Sequence, residues 1–320
     1  MPGGVVSGPR VLLPWAPGEV GGLPGDWTAA VWDGTGGPPG ADVLGSVEFF
    51  VIPYTFTAAA RPLLDRMPRL RVLQSLSAGV DDLAPHVPAG VTLCNARGVH
   101  DASTAELAVA LVLASLRGIP GFAVAQQAGR WSGGFRPALA GRTVLIVGHG
   151  SIGTAVEARL TAFECEVVRV ARTAREGPGG PVHAFGELPG LLGAADVVVL
   201  TVPLVPQTRG LVDAGFLSRM KDGALLVNVA RGPVVDTGAL LRELRSGRLA
   251  AALDVTDPEP LPAGHPLWSA PNVLITPHVG GNSSAFEPRA RELVRSQLAR
   301  FTAGLAPVNV VPGPAGAPGR

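Results

Sequence analysis

TVLIVGHGSIG, residues 143 to 153, joins an apolar strand pattern to a glycine-rich turn, and helix-forming residues follow directly. Gly148, Gly150 and Gly153 have the G-x-G-x-x-G spacing of dinucleotide-binding βαβ units. In a chain with 43 glycines this spacing alone is weak evidence, and the strand before it and the helix after it make it specific. The first glycine permits a tight turn, the second lets the backbone approach a pyrophosphate, and the third lets helix and strand pack closely. The stretch predicts a dinucleotide site whose phosphates lie at the helix N-terminus, beside Ser151 and Ile152.

Composition excludes several classes of function. The 26 basic and 25 acidic side chains give a net charge of +1 without a basic cluster, which argues against nucleic acid as the main partner. Lys221 is the only lysine, which excludes a Walker phosphate loop. Cys94 and Cys165 have neither disulfide nor metal-site spacing, so no metal is predicted. Without a signal-peptide pattern or a run of about 20 apolar residues, we expect a cytoplasmic protein that does not enter a membrane.

Apolar patterning divides the chain into two regions. Residues 11–99 show short apolar strands between Gly/Pro turns, with a helix from Thr57 to Met67, which indicates a small α/β domain. The helix predicted at 101–119 is apolar almost all round and should lie between domains or between subunits. From residue 143 the pattern becomes regular β-α-β, typical of a parallel sheet covered on both faces. Val311 to Arg320 are Pro/Gly-rich and predicted to lack regular structure. In the β-α-β region, strands are predicted at 143–147, 166–171, 196–201, 224–229, 250–255 and 273–276, and helices at 152–163, 187–194, 213–220, 236–246 and 283–303.

Polar side chains follow three consecutive strands of this predicted sheet. Arg231 comes after the strand predicted at 224–229. Asp254 lies at the end of the next predicted strand and Glu259 follows it. His278 follows the last predicted strand. Ligands of open parallel sheets bind beyond the strand carboxyl ends. An arginine fork suits a carboxylate, a histidine moves a proton near neutral pH, and a glutamate can hold and charge the imidazole. Beside a nicotinamide, these groups suffice for hydride transfer to a 2-oxo acid.

Each of these residues also has an ordinary explanation. Arg231 alone could form a surface ion pair, Glu259 could be a solvated turn residue between two prolines, and His278 could cap the following helix. Their joint occurrence at matching strand ends favours the chemical interpretation.

Several segments resemble the D-isomer-specific 2-hydroxyacid dehydrogenases, over about residues 45 to 310. These motifs occur in the family's order, so together they are specific. They are Ser77 to Asp81, Gly148 to Gly153, Pro203 to Thr208, Asn228 to Gly232 with Val234 to Asp236, Asp254 to Leu261 and Thr276 to Gly281.

The resemblance implies an α/β fold with two Rossmann-like domains. A discontinuous, flavodoxin-like substrate domain would comprise residues 1–99 and 284–320, and the inserted, doubly wound dinucleotide-binding domain would comprise residues 100–283. Family members are usually dimers through the cofactor domain, so a homodimer is expected, and the helix at 101–119 would suit that contact. Trp131, Phe135 and Trp268 could be core aromatics or rim residues of a neighbouring subunit.

The resemblance also implies residue roles. Arg231 would bind the carboxylate and oxo group of a small 2-oxo or 2-hydroxy acid, His278 would be the acid/base, and Glu259 would orient and charge it. Backbone N–H groups of Ala78 and Gly79 would hold the substrate carboxylate. The cofactor contacts implied, besides the fingerprint, are Pro203, Thr208, Ala230 and, at the nicotinamide amide, Asp254.

The cofactor is predicted to be NADP(H) rather than NAD(H). An NAD-specific unit has an acidic residue at the end of its second strand, which binds the ribose 2′-OH. Here the strand at 166–171 is followed by Arg172 and Thr173, with Arg175 close behind, a pattern that suits a 2′-phosphate and resembles NADP-using glyoxylate and hydroxypyruvate reductases. In the ordinary interpretation Arg172 points into solvent. Two other functions stay open: a dinucleotide-sensing, corepressor-like binding protein, and a formate- or phosphite-type dehydrogenase of this fold.

Overall fold

The computed structural model describes residues 10–23, 25 and 27–312. Of the tail predicted to lack regular structure, residues 313–320 lie outside that range. The chain divides into two compact units. The first unit is Met1–His100 with Ser284–Arg320, and the second unit is Asp101–Ser283.

The strands, numbered along the chain, are short and mostly buried. They are β1 (Val11–Leu13), β2 (Ala29–Val31), β3 (Phe49–Ile52), β4 (Val72–Ser75), β5 (Thr92–Cys94), β6 (Thr143–Val147), β7 (Glu166–Ala171), β8 (Arg175–Gly177), β9 (Gly180–Ala184), β10 (Val197–Leu200), β11 (Leu225–Asn228), β12 (Ala250–Leu253) and β13 (Val273–Ile275).

The α-helices are interspersed with these strands. They are α1 (Ala41–Ser46), α2 (Thr57–Leu64), α3 (Asp101–Arg117), α4 (Ile119–Gln127), α5 (Ser151–Leu160), α6 (Leu188–Leu191), α7 (Ala214–Arg219), α8 (Thr237–Arg245) and α9 (Phe286–Thr302).

The first unit is built on a parallel sheet in the order β2-β1-β3-β4-β5, the flavodoxin-like arrangement. Adjacent residues of β3 face opposite sides, so Phe50 packs into one apolar cluster with Leu12 and Leu73. Phe49 packs into the other cluster, against the apolar side of α9. A helix near the end of the chain therefore completes a core that the first hundred residues begin.

The second unit has a larger sheet in the order β13-β12-β11-β10-β6-β7-β9-β8, parallel except for the β8–β9 pairing. One face is covered by α3 and α5 and the other by α7 and α8, which explains the continuous Val/Leu/Ala composition of the central strands. The strand order reverses at β6, whose neighbours are β7 and β10. A doubly wound sheet binds its ligand beyond the strand carboxyl ends at that reversal.

Two predicted helices differ from the structure, and one hairpin has no counterpart in the predictions. The helix predicted at 101–119 ends at Arg117, because Gly118 adopts a left-handed conformation (φ 68°) and α4 begins after it. The helix predicted at 187–194 is only one α-turn, α6, between two 3₁₀ turns. The β8–β9 hairpin was not predicted.

Within the described ranges, no single helix has the length and apolar composition to cross a membrane. Helices α3 and α4 reach those limits only when taken together, and the pair is bent by 67° at the break between them.

Candidate active site

The three fingerprint glycines have the distinct roles that their spacing predicts. Gly148 has φ +108°, and a Cβ built there would lie 2.7 Å from the carbonyl carbon of Thr201. A Cβ on Gly153 would lie 2.4 Å from the carbonyl oxygen of Gly148. Apart from Gly150 itself and its two chain neighbours, no described residue has an atom within 4 Å of the Cβ position of Gly150. The first and third glycines are therefore needed for close packing, whereas the second leaves the open space that a pyrophosphate requires.

The N-terminus of α5 faces that open space. Gly150 is its N-cap residue, and no described side chain caps the helix there. Exposed N–H groups at a helix N-terminus bind phosphate oxygens. The hydroxyl of Ser151, a predicted cofactor contact, donates to the Asp101 carboxylate at the start of α3, and Ile152 is half-buried. The loop and helix end fit a dinucleotide.

The residues predicted to select the cofactor lie at the end of β7. Both Gly148 and His149 donate backbone hydrogen bonds to the carbonyl oxygen of Val170, at 2.9 Å each, so the fingerprint turn is tied to the last residues of β7. Arg172 and Thr173 follow that strand and are exposed. Both residues therefore come within three positions of the residue that bonds the fingerprint turn, and both are open to solvent.

The loop after β10 holds the two other predicted cofactor contacts from the Pro203 to Thr208 motif. Pro203 is exposed, whereas Thr208 is buried. The Thr208 hydroxyl donates to the Pro203 carbonyl oxygen at 2.6 Å and accepts from the backbone N–H of Val205 at 3.0 Å. Thr208 thus shapes the loop that presents Pro203 at the strand end.

Arg231 is placed by the turn after β11. The amide of buried Asn228 accepts from the Ala230 N–H at 3.0 Å and donates to the Arg231 carbonyl oxygen at 3.0 Å. A Cβ on Gly232 would lie 1.8 Å from the carbonyl oxygen of Thr256, so only glycine fits beside the loop after β12. The turn fixes the backbone of Arg231 and leaves its guanidinium at the carboxyl edge of the sheet.

Asp254 anchors the loop that carries the predicted acid/base. Its carboxylate, which is buried, accepts hydrogen bonds from the Thr276 hydroxyl at 2.6 Å and from the N–H groups of Val279 and Gly280 at 2.9 Å each. Its carbonyl oxygen accepts from the His278 N–H at 2.8 Å. His278 has φ +53°, an uncommon conformation for a residue with a side chain, which the Asp254 contacts hold in place.

His278 and Glu259 form a hydrogen-bonded ion pair between Nδ1 and Oε1. The side chains are 45% and 39% exposed, so the pair is accessible from solvent. The bond to Glu259 raises the pKa of His278 above its usual value, although partial burial and the nearby charge of Arg231 oppose this. Burial disfavours the charged form of Glu259, but its bond to His278 and the attraction between their charges hold its pKa below the usual range. The partner thus favours the protonated imidazole, in which Nε2 is the remaining donor.

The predicted substrate-binding pair lies in the first unit, in the loop after β4. Ala78 and Gly79 are half-buried, and the Asn95 side chain donates to the Ala78 carbonyl oxygen at 2.9 Å. Their role in binding the substrate carboxylate stays a prediction.

Comparisons with known proteins agree with this geometry. Residues 109–280 match the family described as D-isomer specific 2-hydroxyacid dehydrogenase, NAD binding domain. The chain belongs to the D-isomer-specific 2-hydroxyacid dehydrogenase family. The expected family, α/β fold and NAD(P)-dependent enzyme class are thus confirmed.

Individual relatives cover most of this dehydrogenase. A glyoxylate reductase from Thermofilum pendens is 34% identical over 260 residues, 78% of this chain and 77% of its own. A D-isomer specific 2-hydroxyacid dehydrogenase family protein from Aeromonas salmonicida has a TM-score of 0.85 at 30% identity, over 95% of this chain and 99% of its own. An NADPH-dependent glyoxylate/hydroxypyruvate reductase from Sinorhizobium meliloti, solved with NADP and sulfate, has a TM-score of 0.79 at 28% identity, over 95% and 98%.

Two features of the site were missed from the sequence. One is the contact of Asp101 with Ser151, and the other is the use of Asp254 to hold the His278 loop. The sequence indicates that Asp254 lies at a strand end. The groups that donate hydrogen bonds to it depend on the course of the chain after β13, which the local sequence does not specify.

Proposed function

We propose that this dehydrogenase reduces a short 2-oxo acid, glyoxylate or hydroxypyruvate, and uses NADPH in preference to NADH. The observation that carries the proposal is the half-exposed His278–Glu259 pair at the same sheet edge as Arg231. Curated relatives that are glyoxylate reductases support the choice of acid.

The side chains divide the chemistry between them. Arg231 binds the substrate carboxylate and oxo oxygen through its planar fork. His278 donates the Nε2 proton to the oxygen that becomes the hydroxyl, and Glu259 keeps the imidazole oriented and charged. The bound nicotinamide supplies the hydride. Asp254 fixes the loop on which His278 stands, and its predicted contact with the nicotinamide amide is part of the proposal.

The preference for NADPH rests on the end of β7. Arg172 and Thr173 offer a guanidinium and a hydroxyl where an NAD-specific unit has a carboxylate. Relatives solved with NADPH or NADP are among the similar structures, which supports the same choice here.

We also propose a homodimer formed through the second unit. Trp131 and Phe135 are fully exposed, which excludes a core role for them, and Ile119 and Val124 on α4 are more than half exposed. Such apolar side chains close together in sequence are typical of an interface. Light scattering should give the mass of two chains, and Trp131→Ser with Phe135→Ser should give the mass of one. Trp268, which is 55% exposed, is far in sequence from these four residues.

The free thiols Cys94 and Cys165 suit a reducing compartment, and we place the enzyme in the cytoplasm.

A substrate panel tests the function. Glyoxylate, hydroxypyruvate, pyruvate, phenylpyruvate and acetaldehyde are assayed with NADPH and with NADH. We expect the two short acids to react fastest with NADPH, and acetaldehyde to be about 100-fold or more poorer in kcat/KM because it lacks the carboxylate. Equal activity on acetaldehyde would refute carboxylate anchoring. Inactivity on every 2-oxo acid would favour the corepressor-like or formate/phosphite alternatives, which no observation of the site favours.

A further inference from the structure

A second cluster of charged groups lies behind the fingerprint turn, in the second unit. His149 is the residue between the first two fingerprint glycines, and its Nε2 lies 2.6 Å from a carboxylate oxygen of Glu157 on α5. The other Glu157 oxygen forms an ion pair with Arg169 of β7. His149, Glu157 and Arg169 have side-chain exposures of 4%, 9% and 11%. The mechanism proposed above uses none of these three residues.

Arg175 of β8 extends this cluster to the surface. One of its terminal nitrogens lies 2.6 Å from the carbonyl oxygen of His149 and 3.3 Å from the His149 Nδ1. The guanidinium is thereby held on the fingerprint turn, two residues beyond Thr173. The backbone turn before β9 closes over the inner part of the cluster, where a Cβ on Gly179 would lie 1.9 Å from a Glu157 oxygen.

The hydrogen-bonding roles follow from the partners. The Arg169 guanidinium keeps the pKa of Glu157 low although burial opposes ionisation, so Glu157 is a carboxylate that can only accept. The Nε2 of His149 must then donate to it. A guanidinium can only donate, so the Nδ1 that faces Arg175 must be the acceptor. The contacts therefore assign a donor role to Nε2 and an acceptor role to Nδ1.

We propose that His149 is a positioning residue for cofactor selection: it holds the Arg175 guanidinium beside Arg172 and Thr173, where a 2′-phosphate would bind. The inference rests on the proposed preference for NADP(H). Glu157 and Arg169 fix the imidazole, the imidazole presents Nδ1 to Arg175, and Arg175 adds a second positive charge to the phosphate site. The G-x-G-x-x-G spacing does not specify which residue stands at position 149. His149 at that position thus acts on the adenosine end of the cofactor.

Two isosteric substitutions separate the two nitrogens of the ring. In His149→Asn the amide oxygen replaces Nδ1 and can still accept from Arg175, whereas in His149→Gln the amide nitrogen replaces Nε2 and can still donate to Glu157. Calorimetry gives the dissociation constants of 2′-phospho-ADP-ribose and of ADP-ribose without turnover. The ratio of the ADP-ribose constant to the 2′-phospho-ADP-ribose constant measures the discrimination for the phosphate. We expect His149→Gln to reduce the discrimination about three- to tenfold, and His149→Asn to retain most of it.

A double-mutant cycle tests whether His149 acts through Arg175. Arg175→Met should lower the discrimination about tenfold or more, and adding His149→Gln should cause no further loss. Combining His149→Gln with Arg172→Met should instead give the product of the two single effects. Melting temperatures of all variants identify any that are misfolded, and the cycle is evaluated on folded variants.

The outcomes separate this inference from the cofactor preference on which it rests. If the unchanged protein does not discriminate between the two probes, the NADP preference fails. If Arg172→Met lowers the discrimination but His149→Gln does not, or if His149→Gln and Arg175→Met combine independently, the preference stands and the role of His149 is overturned. Equal losses in His149→Asn and His149→Gln would also overturn it.

Discussion

Two of the three His–Glu pairs in the second unit have opposite surroundings. His149 and Glu157 are 4% and 9% exposed, and Arg169 balances the carboxylate. His278 and Glu259 are 45% and 39% exposed, and they form an ion pair with each other. The ring nitrogens are also used in opposite ways. Glu157 is bonded to Nε2 and leaves Nδ1 to Arg175, whereas Glu259 is bonded to Nδ1 and leaves Nε2 for a ligand.

The difference shows that residue types alone do not define an acid/base site. At His149 the carboxylate charge is shared with an arginine, and both ring nitrogens contact protein groups, so the ring can only position its neighbours. At His278 the carboxylate charge acts on the imidazole and raises its pKa, and the outer nitrogen is available for a proton transfer. Four experiments test this account, from the largest expected effect to the smallest.

Replacing His278 should have the largest effect on turnover. His278→Ala removes the proton donor, so kcat for glyoxylate reduction should fall about 100- to 10,000-fold. Dinucleotide affinity, measured by fluorescence titration with NADPH, should change little. His149→Asn should leave kcat within a few-fold of the unchanged protein, and a comparable loss of kcat there would break the distinction between the two pairs.

Replacing the arginine near each pair should affect a different property of the protein. Arg231→Met should lower kcat/KM for glyoxylate about 100-fold, because the guanidinium binds substrate. Arg169→Met leaves a buried carboxylate without its ion-pair partner and should cost about 3–5 kcal/mol in the free energy of unfolding. Urea denaturation and steady-state kinetics on both variants measure the two quantities. An unchanged kcat/KM for glyoxylate in Arg231→Met would contradict its assignment to substrate binding.

The cofactor preference should depend on the charge after β7. Arg172→Asp places a carboxylate where the 2′-phosphate would bind, so the ratio of kcat/KM for NADPH to that for NADH should fall about 10- to 100-fold. Arg209, an exposed arginine in the loop after β10, provides a matched control as Arg209→Asp. A ratio that moves equally in both variants would indicate a general effect of charge.

The sequence predicted the catalytic residues better than the residues that position the parts of the site. Strands β6, β7 and β10 to β13 were predictable because continuous apolar runs alternate with helical patterns, and that regularity places Arg231, Glu259 and His278 at one edge. The His149 cluster was not predicted, because Arg175 contacts a residue 26 positions earlier and depends on the β8–β9 hairpin. The turn sequence Gly177-Pro178-Gly179-Gly180 signalled that hairpin, but β8 is only three residues long. Long-range polar contacts of this kind require the fold to be known first.

The exposed pair itself is tested most directly by the pH dependence of reduction. Reduction needs the protonated imidazole, so kcat/KM for glyoxylate falls as pH rises through the pKa of His278. Glu259→Gln removes the charge that raises this pKa, so the falling limb should move to lower pH. A surface pair, His183 and Glu187, with Nδ1 and Oε2 2.9 Å apart, gives the matched control Glu187→Gln. The account predicts a displaced limb in Glu259→Gln and an unchanged limb in Glu187→Gln, and an unchanged limb in Glu259→Gln would contradict it.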